Sequence, residues 1–301
     1  MSEQRDRFGE AIRGGTVLAP LTLDPLTARL VEQLGFEAGY LSGGALGFRY
    51  AVSEALLTIT EIADEARRIT NRSGLALIVD GGVGFGDAVH TARAIWEIEA
   101  TGAVAIEIED QVAPKRVHHH VGVEHLVPVG EMVGKITAAA EARRDDGFLI
   151  IARTGGIAHE GLEAGTARLR AYREAGADLL MALCGDRDAA AVAQATDAPL
   201  ATITSFDRHA HDDWDTTPWS LVIDAFTGQA LSITTQRDAY TRFRRGEPAG
   251  GPHDGMALHR ELVELCGLTG LLAIERSTTE SDRGLTPIGL TREPDGVDGS
   301  S

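Results

Sequence analysis

Short apolar runs alternate with longer amphipathic stretches along most of this chain, and no other feature restricts its fold as strongly. Runs at 16–19, 38–41, 75–79, 104–109, 148–153, 178–183, 200–203 and 221–224 read as strands. Helical spacing fills much of what lies between: 24–34 behind the candidate N-cap Asp24, 60–70 with Ile62, Ala66 and Ile69 on one face, 87–101 with Val89, Ala92, Ile95 and Ile98, then 131–143 and 160–175. Strands separated by helices in this rhythm form parallel βαβ units. About eight such units fill roughly 200–250 residues, the usual size of a (β/α)8 TIM barrel. The expected fold is therefore α/β, a (β/α)8 barrel, with a doubly wound sheet as the competing architecture. Stretches 235–246 and 256–266 read as extra C-terminal helices outside the repeat. The expected organisation is one barrel domain over 1–276, with its C-terminal helices from about 235, and a flexible tail over 277–301.

Composition narrows the function. A formal net charge of −17 repels phosphate backbones and argues against a nucleic-acid partner. No apolar run approaches the length of a membrane span. The N-terminus has no signal-peptide core. Two cysteines, Cys184 and Cys266, make neither a disulfide framework nor a zinc site. A cytoplasmic location with reduced thiols is the expectation.

Barrel chemistry sits on the loops that follow the strands. Those positions carry Ser42-Gly43-Gly44 after the second strand, Asp80 and the glycine-rich 81–86 after the third, Glu107, Glu109, Asp110 and Gln111 on the fourth, and Arg153-Thr154-Gly155-Gly156 after the fifth. Glycines let backbone N–H groups approach an anion. Clustered carboxylates suit Mg²⁺, and an arginine suits a carboxylate or phosphate. Each piece also has a plain structural reading: a strand-end aspartate as a loop cap, glycines serving a tight turn, an arginine in an ion pair. The loop Lys115-Arg116-Val117-His118-His119-His120 is unusual. Adjacent histidines in a loop point different ways and cannot all ligate one ion, whereas one of them can serve as a general acid or base.

At these same residues the chain resembles the isocitrate lyase / phosphoenolpyruvate mutase superfamily, most closely its 2-methylisocitrate lyase branch. The matching text is Tyr40-Leu41-Ser42-Gly43-Gly44, Val79-Asp80 through Gly84-Phe85-Gly86, Ile108-Glu109-Asp110-Gln111 with Lys115-Arg116, Ala152-Arg153-Thr154, and Ala175-Gly176-Ala177-Asp178. Similarity runs from about residue 10 to about 210. The resemblance implies Mg²⁺ near Asp80 and Glu109, and a small-molecule carboxylate substrate gripped by Tyr40, Ser42, Gly43, Gly44, Arg153 and Thr202. It implies proton transfer involving His119, His118, Lys115 or Arg153. It also implies a homodimer or homotetramer whose last helices are exchanged between subunits.

Departures from the family pattern are as informative. Gly82 stands where the metal motif carries a second aspartate, and Ser53, with Glu54 adjacent, where another shell aspartate falls. Val117 replaces the cysteine that acts as acid/base in the lyases. Gly155, Leu183, Thr202 and Ser205 replace further polar groups. A valine transfers no proton, and fewer carboxylates weaken Mg²⁺ binding. The expected function is a divergent lyase-type enzyme, not an ordinary methylisocitrate lyase. It would act on an oxo- or hydroxy-acid by C–C cleavage or decarboxylation through an enolate-like step. Three alternatives stand beside it: a metal-independent enzyme on a bulkier, less polar substrate in specialised biosynthesis; a non-catalytic binding barrel; and a phosphonomutase or phosphonopyruvate hydrolase.

Overall fold

The computed structural model describes residues 2–206, 214–250 and 255–280. In chain order its elements are α1 (Ser2–Gly14), β1 (Val17–Ala19), α2 (Pro25–Gln33), β2 (Ala38–Leu41), α3 (Gly43–Arg49), α4 (Ile59–Thr70), β3 (Ala76–Asp80), α5 (Ala88–Glu99), β4 (Ala105–Glu109), α6 (Val129–Ala142), β5 (Leu149–Thr154), α7 (Gly156–Glu160), α8 (Leu162–Glu174), β6 (Leu179–Ala182), α9 (Asp186–Thr196), β7 (Leu200–Thr204), β8 (Leu221–Asp224), α10 (Thr227–Arg244), α11 (Gly255–Leu265) and α12 (Leu268–Ser277). All eight strands pair in parallel, in the order β1-β8-β7-β6-β5-β4-β3-β2. Tyr40 closes the ring between β1 and β2. Its N–H donates to the Pro20 carbonyl at 2.9 Å, and its own carbonyl accepts from the Thr22 N–H at 2.8 Å. The result is the (β/α)8 barrel that the strand rhythm predicts.

Strand alternation sorts side chains between two cores. Ala38, Tyr40, Ala76, Ile78, Ala105, Ile151, Leu179, Met181, Ala201, Leu221 and Ile223 fill the barrel interior, and Phe8 and Ile12 of α1 pack into the same cluster. Leu41, Leu77, Val79, Ile106, Ile108, Ala152, Leu180, Leu200 and Val222 point the other way, onto the helices. Burying each large aliphatic contributes about 1.5–3 kcal/mol. The same parity decides the site: one step further along each strand, the inward positions are Asp80, Glu107, Glu109, Arg153, Leu183 and Ile203.

Several local details depart from the sequence reading. Helix α1 is unannounced by periodicity because only Phe8 and Ile12 of its residues are apolar and deeply buried. Val89 is exposed, while Thr91 and Ala94 join Ile95 and Ile98 on the buried face of α5. The stretch 160–175 is split at Gly161, whose φ of 91° lets α7 end and α8 begin. The helix read as 235–246 begins at Thr227, because the Asp224 carboxylate accepts from the Thr227 N–H (3.1 Å) and hydroxyl (2.6 Å) and starts it early.

The chain divides into two compact units, Met1–Gly251 and Pro252–Ser301. The first is the barrel with α10. The second contains α11 and α12, whose described residues are exposed or half-buried. Most of the 277–301 tail, from 281 onward, lies outside the described residues. Among the described residues no helix is long and apolar enough to cross a membrane.

Candidate active site

Asp80 ends β3 facing inward, and two backbone donors fix its carboxylate. The Gly43 N–H reaches Oδ2 and the Gly82 N–H reaches Oδ1, each at 2.9 Å. Gly82 adopts φ +52° to present that N–H. The Gly43 N–H, expected to face a substrate carboxylate, is therefore committed to Asp80.

On β4, Glu107 is completely buried and meets two partners. Tyr40 donates its hydroxyl to Oε2 at 2.6 Å, and Arg153 Nη1 donates to Oε1 at 3.2 Å. Burial pushes the Glu107 carboxyl up to about 7, against the pull of Arg153. Burial likewise drives the Tyr40 phenol well above its ordinary value, so it remains a donor. Glu109, 2% exposed, lies 3.7 Å from Arg153 Nε and accepts from Gln111 Nε2 at 3.0 Å. Burial acts on it too, but Arg153 and Lys115 outweigh it and hold Glu109 below the usual carboxylate range.

The loop that follows folds over these acids. An antiparallel bridge between Gln111 and Leu126 pins its base, and a 3-10 turn, Val117–Val121, forms its crest. Lys115 Nζ lies 2.6 Å from Glu54 Oε1 and 2.5 Å from Glu109 Oε1. These acids and Asp80 hold its ammonium above the ordinary lysine value despite burial. His119 Nε2 is 2.6 Å from the same Glu54 oxygen, and its Nδ1 is 2.6 Å from the Arg116 carbonyl. A carbonyl only accepts, so Nδ1 carries hydrogen and donates to it. Nε2 therefore faces the Glu54 oxygen with no aligned hydrogen bond of its own. Burial, with Asp80 nearby, raises the Glu54 carboxyl above its ordinary value.

These groups border a cavity of about 380 Å³ lined by Tyr40, Ser42, Gly44, His119, Arg153 and the apolar Phe48, Ile203, Ala225 and Phe226, among others. Four expected residues do not line it: Gly43, Glu109, His118 and Thr202. His118 is exposed on the crest and does not line the cavity. Thr202 lies between the inward Ala201 and Ile203, so alternation along β7 turns it toward the surrounding helices. Ser42 reaches the cavity while accepting from the Ala45 N–H as N-cap of α3. Glu54, on the turn before α4, has no periodic signal; its one hint in the sequence was its place beside Ser53, where the family carries an acid. Glu107 had one, because it shares the inward parity of Glu109.

Asp80 and Glu109 were the expected Mg²⁺ ligands. Both Asp80 oxygens hold backbone donors, and both Glu109 oxygens are occupied by Lys115 and Gln111. A side chain at Gly82, where the family has an acid, would meet no atom within 4 Å. Among the described residues no three His, Cys, Asp or Glu side chains are grouped to hold a metal ion. The side chains in this arrangement do not fit Mg²⁺.

Residues 11–215 match the family model described as phosphoenolpyruvate phosphomutase. The chain is 30% identical over 269 residues to 2,3-dimethylmalate lyase of Eubacterium barkeri, covering 87% of this chain and 93% of that protein. It is 41% identical over 196 residues to 2-methylisocitrate lyase of Aeropyrum pernix, 64% of this chain and 63% of that protein. The matched region spans as little as 53% of other proteins named as 2-methylisocitrate lyases. Among solved structures, phosphonopyruvate hydrolase in complex with oxalate and Mg²⁺ superposes with a TM-score of 0.80 at 29% identity, over 92% of this chain and 99% of that one.

Proposed function

Because the chain belongs to the phosphoenolpyruvate mutase/isocitrate lyase superfamily, we propose that it is an enzyme, a carbon–carbon lyase or decarboxylase acting on a small oxo- or hydroxy-acid. One observation carries the reading: the Arg153 guanidinium and His119, whose Nε2 lies 2.6 Å from Glu54, border the same cavity. The guanidinium meets the substrate carboxylate and the negative charge that develops beside it. In cleavage of a hydroxy-acid, His119 Nε2 takes the hydroxyl proton and the C–C bond breaks as the new carbonyl forms. The electron pair passes into the enolate of the departing acid. In decarboxylation, CO₂ leaves and the same pair remains on the oxo-acid fragment. Either carbanion is quenched through the same nitrogen, which returns the hydroxyl proton after cleavage or passes on one from solvent after decarboxylation. This assigns His119 the task of the lyases' cysteine, whose place Val117 takes and whose side chain transfers no proton.

The apolar wall of Phe48, Ile203, Ala225 and Phe226 favours one variant of this reading, a substrate with a larger and less polar tail than a citrate-type acid. The test is incubation of the purified chain with 2-methylisocitrate, 2,3-dimethylmalate, oxaloacetate and alkyl-extended analogues, followed by product mass analysis. Turnover is expected for at least one of them, to fall about 10²–10⁴-fold in His119→Gln, with oxalate binding lost in Arg153→Ala. Absence of turnover on all of them, together with unchanged oxalate binding in Arg153→Ala, overturns the proposal.

A further inference from the structure

Three acids surround one ammonium at the mouth of the barrel. Glu54 and Glu109 touch Lys115 Nζ at 2.6 and 2.5 Å, and Asp80 adds to the field that keeps it protonated. The Lys115 side chain is only 10% exposed. Glu109 Oε1 has no aligned hydrogen-bond donor of its own, so its compensation comes from the Lys115 charge at contact distance. Beside the lysine lies a cavity of about 180 Å³, lined by Gly43, Glu54, Asp80, Gly82, Phe85 and Lys115 among others. The acid that would complete a divalent cage from that side is replaced by Gly82. Mg²⁺ requires near-octahedral oxygen ligation at roughly 2.0–2.1 Å. An ammonium is a compact charge on a flexible stem with no such demand, and it suits an incomplete ring of acids.

We infer that Lys115 is the resident counter-cation of this site, and that a divalent metal on Glu54 and Glu109 and the folded-over position of Lys115 are mutually exclusive. A metal then enters only when the segment around 114–121 withdraws. The chain carries its own cation into the site on a loop, and closing that loop expels any metal. The inference concerns what occupies the acids and is independent of the reaction they serve.

The experiment titrates Mn²⁺ into the full chain and follows free Mn²⁺ by electron paramagnetic resonance, in wild type, Lys115→Met and the double variant Lys115→Met/Glu109→Gln. The expected result is weak binding by wild type, at least ten-fold tighter binding by Lys115→Met, and loss of that gain in the double variant. Tight binding by wild type that Lys115→Met leaves unchanged overturns the inference, and so does a folded Lys115→Met that binds no better than wild type. A second measurement needs no variant. Trypsin cleavage after Lys115 should accelerate as Mn²⁺ is added to wild type, because the metal releases the loop. Cleavage that slows or stays flat at saturating Mn²⁺ refutes mutual exclusion even if Lys115→Met fails to fold.

Discussion

Arg168→Met should cost this barrel about 4 kcal/mol of stability, and the reason lies in the carboxylate it leaves behind. Asp110 follows Glu109 directly and is completely buried. Its Oδ2 accepts from the Thr154 hydroxyl at 2.6 Å, the Tyr172 hydroxyl at 2.8 Å and Arg168 Nη1 at 3.3 Å. Arg168 Nη1 also donates to the Val127 carbonyl at 2.9 Å, and the other side of the guanidinium meets the half-exposed Glu160 at 2.6 and 2.7 Å. Methionine keeps the apolar stem and removes the charge. Stripping one partner from a buried ion pair costs about 3–5 kcal/mol. The Thr154 and Tyr172 donors remain on Asp110 and keep that term near its lower end. The orphaned Val127 carbonyl adds about 1 kcal/mol or more, while loss of the Glu160 contact adds less than about 1 kcal/mol because that carboxylate is partly solvated. A loss of about 4 kcal/mol corresponds to a drop in Tm of roughly 10 °C for a domain of this size. Thermal and urea unfolding followed by circular dichroism measure it. Asp110→Asn in the Arg168→Met background should recover about half of the loss, since the unpaired charge is gone while an acceptor for Thr154 and Tyr172 stays. If Arg168→Met costs less than about 1 kcal/mol, or Asp110→Asn costs the same in both backgrounds, the network does not hold the ends of β4 and β5 as argued.

Burial, with Asp188 and Asp186 nearby, pushes the Cys184 thiol up to about 11, so little thiolate exists at neutral pH. Iodoacetamide at pH 8 should alkylate the exposed Cys266 at least roughly ten-fold faster than Cys184, and the Cys184 rate should climb with pH up to about 11; equal rates in peptide mass mapping contradict this. Helix α10 leaves Leu231, Ile233, Tyr240 and Phe243 between 50% and 71% exposed, more apolar surface than one helix of a monomer leaves to water. Light scattering behind size exclusion should give a multiple of the 31.9 kDa chain mass, reduced by Tyr240→Glu/Phe243→Glu, whereas a monomer at tens of micromolar removes the homodimer or homotetramer expected from the family resemblance.

The barrel was legible because its strands are short apolar runs with nearly everything buried on both faces, a pattern that only parallel strands wrapped by helices sustain. Asp80, Glu109 and Arg153 were legible for a related reason: each ends such a run, and a charged group at a strand end of a barrel faces the mouth. Legibility ended where position depends on turns. Thr202 sits one residue from inward-facing Ile203, and the sequence 200–203 does not mark which of them faces the interior. His118 and His119 differ only in where a 3-10 turn points them. Glu54 reaches the acids through the path of the chain between α3 and α4, which no periodicity encodes.

The substitutions that look like losses in the sequence acquire a common sense in the folded site. Glu54, Asp80 and Glu109 bring three negative charges when ionised. Lys115 and Arg153 return two positive charges. Glu107, with its carboxyl near 7, is held by Tyr40 and Arg153 and adds at most a fractional charge at neutral pH. Side chains alone therefore offset most of the negative charge of the site. An aspartate at position 82 would add a fourth full negative charge and a third donor on the cation's side, which a single ammonium does not neutralise and a divalent ion does. Glycine at 82 and a lysine folded between Glu54 and Glu109 are thus parts of one arrangement. Replacing either alone should unbalance the mouth, and replacing both together, Gly82→Asp with Lys115→Met, should restore the balance with a metal in the lysine's place.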